Sequence, residues 1–256
     1  MEILFFVLML CLLAYVMYRN ITLIGRYRHN KEYIECYKEM LANTEGAYDR
    51  TCRYIENEKS AEYRNKGLIL KLYQQLDREE DAMETVEAID LKEILYAKGK
   101  YSKRQLMMNS DIFIWLYMNM AKARKLSKFD VLNTLYDKFM ALDLLENRVE
   151  YKLAKAIYNA LCEKEDAGVE FLSSMLDGGY AGLDYEKNLI GLYKRFASAT
   201  LAYSGEPMED YYKEDLHSFA STQIGKNYLN DLEIYEKYLP KKQSENEDPL
   251  EENEEK

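Results

Sequence analysis

No proline occurs before position 207, and only Pro207, Pro240 and Pro249 follow. Most of the chain therefore lacks the residue that most surely breaks a helix. Glycine is scarce too, eleven in 256 residues, and none stands in the GxGxxG or GxxxxGK spacing that lets a backbone cradle phosphate at a helix start. The nearest approach is "DGGYAGLDYE", with Gly178, Gly179 and Gly182 ahead of a helix at Asp184. No Lys or Ser/Thr follows to hold phosphate or Mg²⁺, so it reads as a helix stop and loop. The only histidines are His29 and His217, too few for an HExxH zinc site and poor material for a His-based triad. Glu214 and His217 do share the three-residue spacing of di-iron carboxylate bundles. The second motif is missing, because His29 has Arg26 in the corresponding place.

Cysteine is equally sparing. Cys11 falls in an apolar run, and Cys36, Cys52 and Cys162 have no close spacing. An odd three in the body argues against a secreted disulfide framework and against a zinc knuckle. They read as buried, inert thiols, and neither cofactor nor metal is expected. A basic face is missing as well: 45 acids outweigh 35 cations for a net charge of −10. Such a chain repels phosphate backbones, so no nucleic-acid partner is expected. Runs of alternating β-branched residues between turns are also absent.

What the sequence does have is "ILFFVLMLCLLAYVMY", residues 3–18, in a chain whose mean hydropathy is −0.49. Sixteen uncharged residues give roughly 24 Å of helix, and Ile21, Leu23 and Ile24 extend the run if Arg19 snorkels. Residues 3–24 then suffice for a tilted span through the bilayer, with Ile3, Phe5, Phe6, Leu8, Leu10, Leu12, Leu13 and Val16 as its anchoring residues. A cleaved signal peptide and a buried core helix are the alternatives. The start Met1-Glu2 and the stretch "AYVMY" lack the basic lead and small-x-small cleavage site of a signal. Arg19, Arg26, Arg28 and Lys31 all follow the span and none precedes it, which sets the topology. The expectation is a single-pass protein of the cell membrane, N-terminus outside and body cytoplasmic. The basic flank serves as a stop-transfer signal or lies against anionic lipid.

The chain reads as three parts. Residues 1–27 form the anchor with its basic flank, 28–240 the body, and 241–256 a tail, "KKQSENEDPLEENEEK", with seven acids and one leucine. The tail cannot bury enough apolar surface to offset its ordering entropy and is expected to be disordered. In the body, apolar residues recur at three and four positions, as in Tyr33, Ile34, Tyr37, Met40 and Leu41. The fold class expected is all-α, with helices over 28–42, 44–58, 60–76, 79–97, 102–125, 128–145, 147–163, 167–177, 184–203, 207–224 and 226–239. Ser127 with Asp130 suggests a capping box, Ser110, Asn147 and Asp184 further N-caps, and Pro207 a first turn. Gly178-Gly179, Gly205 and Gly225 suggest stops. The acids Glu79, Glu80 and Asp81 suit a helix start.

Helix starts near Ser110, Asn147 and Asp184 are 37 residues apart, which aligns Leu116, Leu153 and Ile190, and Ala123, Ala160 and Ala197. Such a period suits antiparallel hairpins stacked as a solenoid. "EYRNKGLILKLYQQLDREEDAMETVEAI", residues 62–89, resembles a tetratricopeptide hairpin. Tyr63, Gly67 and Leu70 fall near that family's first-helix positions and Ala82 and Val86 near its second-helix positions, and "NLIGLYKRFASA" carries a similar Ile190-Gly191 pair. The turn is about three residues longer than the family's, and its terminal proline is missing. The resemblance implies a curved helical scaffold whose concave side receives a peptide or partner helix.

Aromatic residues are the unusual abundance: 24 tyrosines, eight phenylalanines and one tryptophan. Tyrosine can fill a core or line a binding surface, and Trp115, Tyr117, Tyr158, Tyr193 and Tyr212 are the candidate partner-binding residues. These readings describe a membrane-anchored scaffold or assembly factor that binds a protein or peptide and catalyses no reaction. Two alternatives stand beside it. In one, residues 28–76 form a long helix and dimerise as a coiled coil in a structural element of the envelope or division machinery. In the other, the body is an enzyme with an unfamiliar helical site.

Overall fold

The computed structural model describes residue 17 and residues 30–77, 79–97, 100–101, 109–142, 145–163, 168–177 and 184–239. The anchor 3–24 except Met17, the flank residues Arg19, Arg26 and Arg28, the pair Gly178-Gly179 and the tail 241–256 lie outside the described residues. Lys31 is exposed in the first turn of the first described helix. Among the described residues no helix is long and apolar enough to cross a membrane.

The described body is all-helical. Its helices are α1 over residues 30–42, α2 Ala47–Asn57, α3 Ala61–Gln75, α4 Glu79–Ala88 and α5 Leu91–Leu95. A minimal antiparallel pair, β1 Tyr96–Ala97 and β2 Lys100–Tyr101, follows. Then come α6 Asp111–Lys125, α7 Phe129–Met140, α8 Val149–Leu161, α9 Val169–Asp177 and α10 Asp184–Ser204. The chain closes with α11 Asp210–Ala220, α12 Gln223–Asp231 and a 3₁₀ turn, Tyr235–Tyr238.

On α1 the stripe that meets the core is Tyr33, Cys36 and Met40, with Tyr37 and Leu41 partly covered. Ile34, expected on that stripe, is 38% exposed; one step along a helix turns a side chain about 100°. The chain reverses at Asn43–Gly46 and again at Glu58–Ser60, so 28–76 is not one continuous helix. The segment 79–97, expected as one helix, breaks at Ile89-Asp90. The Asp90 carboxylate accepts from the Lys92 and Glu93 N–H groups and starts α5, and the Asp90 N–H donates to the Asn65 side chain at 2.7 Å.

Helix ends explain most remaining differences. Ser127 is not an N-cap. It takes φ 57° after α6, where its N–H donates to the Arg124 carbonyl and that of Lys128 to the Ala123 carbonyl, the paired bonds of a Schellman motif. Asn43 and Glu233 end α1 and α12 in the same way, as Gly205, an expected stop, ends α10. Gly225 is not a stop. It lies in the first turn of α12, where its N–H donates to the Thr222 hydroxyl. A Cβ there would stand 1.9 Å from the Phe219 carbonyl oxygen, so only glycine lets α12 fold this tightly against α11. Pro207 sits in the irregular stretch before α11, which begins at Asp210, and α8 begins after Arg148 rather than at Asn147.

Helix α6 is the centre of the body. Every residue from Ile112 to Ala121 is buried, as befits a helix that is apolar nearly all round, and α3, α7, α8 and α12 pack on it. The starts of the three spaced hairpins, α6, α8 and α10, pack in series, and Ala123, Ala160 and Ala197 are all buried. Close approach recurs at Gly67, where a Cβ would meet Ile55 of α2 at 2.7 Å.

Two substitutions of opposite sign check these helix ends. Gly225→Ala is expected to destabilise the protein by about 3 kcal/mol, because backbone must move. Ser127→Gly is expected to stabilise it by about 1 kcal/mol, because the left-handed conformation then carries no Cβ strain. Urea unfolding of both variants measures each difference, and equal effects of one sign would refute the assignment.

Candidate interaction site

The five aromatic candidates do not form one face. Trp115, Tyr117 and Tyr193 have no appreciable exposure. The Trp115 ring is packed edge-on by Tyr37 at 5.5 Å and Tyr73 at 5.4 Å. Tyr117 meets Tyr193 and Phe196, and its hydroxyl donates to the Glu150 carbonyl at 2.9 Å. Tyr158 is buried elsewhere, stacked on Tyr136 at 3.7 Å with its hydroxyl on the Asn133 side chain. Only Tyr212 keeps part of its ring at the surface, against Tyr211, which is 71% exposed. The rings fill the interior around the covered helix α6, where the Tyr117 and Tyr158 hydroxyls find acceptors.

Sequence reasoning missed the polar junction where α12 meets the rest of the body. Asp231, at the end of α12, accepts a 2.5 Å hydrogen bond from the Tyr73 hydroxyl of α3. Lys125 of α6 stands 4.0 Å from the same carboxylate and donates to the Asn230 carbonyl at 2.9 Å. Lys122, one turn earlier, lies over the Tyr73 ring, donates to the Tyr73 carbonyl at 2.7 Å and pairs with Asp77 at 3.5 Å. At the other end of α12, the Asn227 amide donates to the Leu41 carbonyl of α1 at 2.9 Å. Between them Tyr228 packs 4.5 Å from Phe196, with its hydroxyl 3.3 Å from that of Thr200, and Leu229 is fully buried.

Electrostatics at this junction favour protons. Burial raises the Asp231 carboxyl to about 6, against the lowering effect of the Tyr73 hydrogen bond and of Lys125 and Lys122, with Asp77 pushing up again. Burial, then Asp231, pushes the Tyr73 hydroxyl well above its ordinary range. A second buried charge lies two turns earlier on α3: Lys66, 3% exposed, stands 3.8 Å from Asp111 and over the rings of Tyr33 and Tyr63. Asp111 also accepts a 2.6 Å hydrogen bond from Tyr33.

Two surface clefts accompany these junctions. One, of about 370 Å³, lies between α1 and α2 and is lined by Glu32, Glu35, Arg50, Arg53, Tyr54 and Asn57. Cys36 at its floor is buried, and burial raises its thiol, the opposite of what a nucleophile needs. The other, of about 270 Å³, lies between α8 and the start of α9, with Lys152, Lys155 and Asn159 at its wall. His217 is exposed, with Nδ1 2.9 Å from the Tyr238 carbonyl oxygen. Among the described residues no group of three or more His, Cys, Asp or Glu could hold a metal ion.

No family model, curated protein or solved structure matches the chain. At the junction an aromatic hydroxyl and one ammonium group converge on the Asp231 carboxylate, and the Asn227 amide holds a backbone carbonyl. That arrangement fixes the position of α12 against α1, α3 and α6.

The raised Asp231 carboxyl has a measurable consequence. The folded chain holds this proton more tightly than the unfolded one, so its stabilisation is complete below about pH 4 and is lost as the pH rises through about 6. The loss is on the order of 2 kcal/mol. Asp231→Asn removes it. The stability difference between the two proteins, from urea unfolding, is expected to shift by that amount between pH 4 and 7, and a pH-independent difference would refute the assignment.

Proposed function

We propose that this protein is a single-pass membrane protein whose helical body, beneath the cytoplasmic leaflet, is a scaffold that engages a partner protein or peptide. The observation that carries this reading is the apolar run 3–24, flanked on one side only by Arg19, Arg26, Arg28 and Lys31, set directly before an all-helical acidic body. Helical hairpins packed in series supply long, rigid faces, and the tetratricopeptide likeness of residues 62–89 is in keeping with that use. The acidic tail 241–256 keeps the body soluble near an anionic surface by repulsion. The interior burial of Trp115, Tyr117 and Tyr193 moves the docking surface away from those rings, toward the clefts and the α12 junction.

Cell fractionation tests the anchor. The full chain is expected to stay with membranes through alkaline carbonate, and a chain lacking residues 3–24 to become soluble. A tag after Lys256 is expected to resist protease added outside intact cells and to be digested after permeabilisation. Digestion in intact cells would overturn the orientation. Crosslinking from the body is expected to capture a protein, and turnover of a phosphoester, glycoside or peptide by the purified body would replace the scaffold with an enzyme.

A further inference from the structure

We propose that the cleft between α1 and α2 binds a zwitterionic phosphoamine, a phosphate diester carrying a primary ammonium, as presented by the headgroup of an aminophospholipid or by its free glycerol ester. The inference deepens the membrane-anchored reading, and rests on it only for the lipid as the source of that headgroup.

The cleft opens where the register of the hairpin should close it. Its walls are antiparallel helices, and at its inner end Arg50 of α2 meets Glu39 of α1 at 2.7 Å. One turn toward the start of α1 the same register sets Arg53 opposite Glu35, and a further turn sets Asn57 opposite Glu32. Here the pairing stops. Arg53 donates its Nε to the Asp49 carbonyl of its own helix at 3.3 Å, and neither it nor Glu35 has an ion-pair partner among the described residues. Glu32, Glu35, Arg53 and Asn57 instead line a cleft of about 370 Å³ floored by the buried Cys36 and Tyr54. The buried carboxylate of Glu58, which accepts the Ser60 N–H at 2.7 Å, lines it as well.

Charge and donor type select the ligand. With Arg50 engaged by Glu39, the lining sets Glu32, Glu35 and Glu58 against one guanidinium, Arg53. That excess repels a simple anion, and a simple cation leaves Arg53 without a partner. A ligand with both charges satisfies both walls. The Arg53 fork matches phosphate oxygens, and the Asn57 amide keeps a second N–H after donating to the Arg53 carbonyl at 2.7 Å. Carboxylates accept from the N–H groups of a primary ammonium. A quaternary ammonium has none and is held by open ring faces, which the buried Tyr54 does not offer. Position suits a headgroup too. The apolar run ends at residue 24 and α1 begins at residue 30, so the link spans at most about 22 Å. The end of the cleft away from the Arg50–Glu39 pair lies at the start of α1, toward that link.

The test uses the full chain in detergent micelles, titrated calorimetrically with glycerophosphoethanolamine and glycerophosphocholine. The first is expected to bind about tenfold more tightly than the second, which lacks the donated hydrogen bonds. Arg53→Gln and Glu35→Gln, at exposed positions, are each expected to weaken the first about tenfold, and Lys59→Gln, outside the lining, to leave it unchanged. In a second arm the chain is reconstituted in vesicles of phosphatidylethanolamine and phosphatidylcholine, then re-isolated for native mass spectrometry. Selective retention of phosphatidylethanolamine, lost in Arg53→Gln, assigns the site to lipid; binding of the glycerol ester without lipid retention assigns it to the free compound. Equal affinity for the two esters, binding unchanged in both folded variants, or no binding in either arm would overturn the proposal. A chain that binds the ester yet leaves the membrane in alkaline carbonate keeps the site and loses the anchor. One that stays with membranes and binds neither ester nor lipid keeps the anchor and loses the site.

Discussion

The return of α12 to the first helices of the body is the contact on which the rest of the structure depends. Asn227 reaches Leu41 across 186 positions of sequence, and Asp231 reaches Tyr73 across 158. Other non-neighbouring helices also pack, α3 on α6, α4 on α7 and α6 on α8, but these two bonds join the last helix to the first and third. With them, a helix whose residues are buried continuously from Ile112 to Ala121 is covered by α3, α7, α8 and α12 together. The hydrophobic gain of enclosing α6 is what favours closure, and the polar bonds at each end of α12 decide where it closes.

Two lysines drawn into the body, one buried and one half-buried, stand beside tyrosine. Lys66 stands between Tyr33, Tyr63 and Asp111, and Lys122 lies over Tyr73 near Asp77. A phenol supplies both a ring face for the ammonium and a hydroxyl for the carboxylate, so each site satisfies a cation and an anion with little extra desolvation. This gives Tyr33, Tyr63 and Tyr73 their place in the interior. Rings that could have formed a docking surface instead tie α1, α3, α6 and α10 to one another, and burial holds the hydroxyls of Tyr33, Tyr37, Tyr73 and Tyr117 above their ordinary range.

Helicity was legible in the sequence because the absence of proline and the three-and-four spacing of apolar residues act locally. Gly205 was legible as a stop for the same reason. Asn43, Ser127 and Glu233 were not, since each adopts a left-handed conformation that glycine rules assign elsewhere, and Gly225 misled because its role is close packing on Phe219. The aromatic candidates failed as a surface because tyrosine type says nothing about depth. The α12 junction left only a faint mark: Asp231 lies three positions after Tyr228 on an otherwise apolar face, and Lys66 interrupts "NKGLIL". Acids and lysines on buried faces signal a partner, but the partner's identity, Tyr73 or Asp111, is set by tertiary contact alone.

The closed position of α12 against α1 is open to direct measurement. Spin labels at the exposed positions Ala42 and Lys226 measure it directly by dipolar spectroscopy on the full chain. A dominant, narrow distribution at short separation is expected. A broad distribution centred at long separation would contradict it, since the Asn227 and Asp231 contacts could not then organise the body.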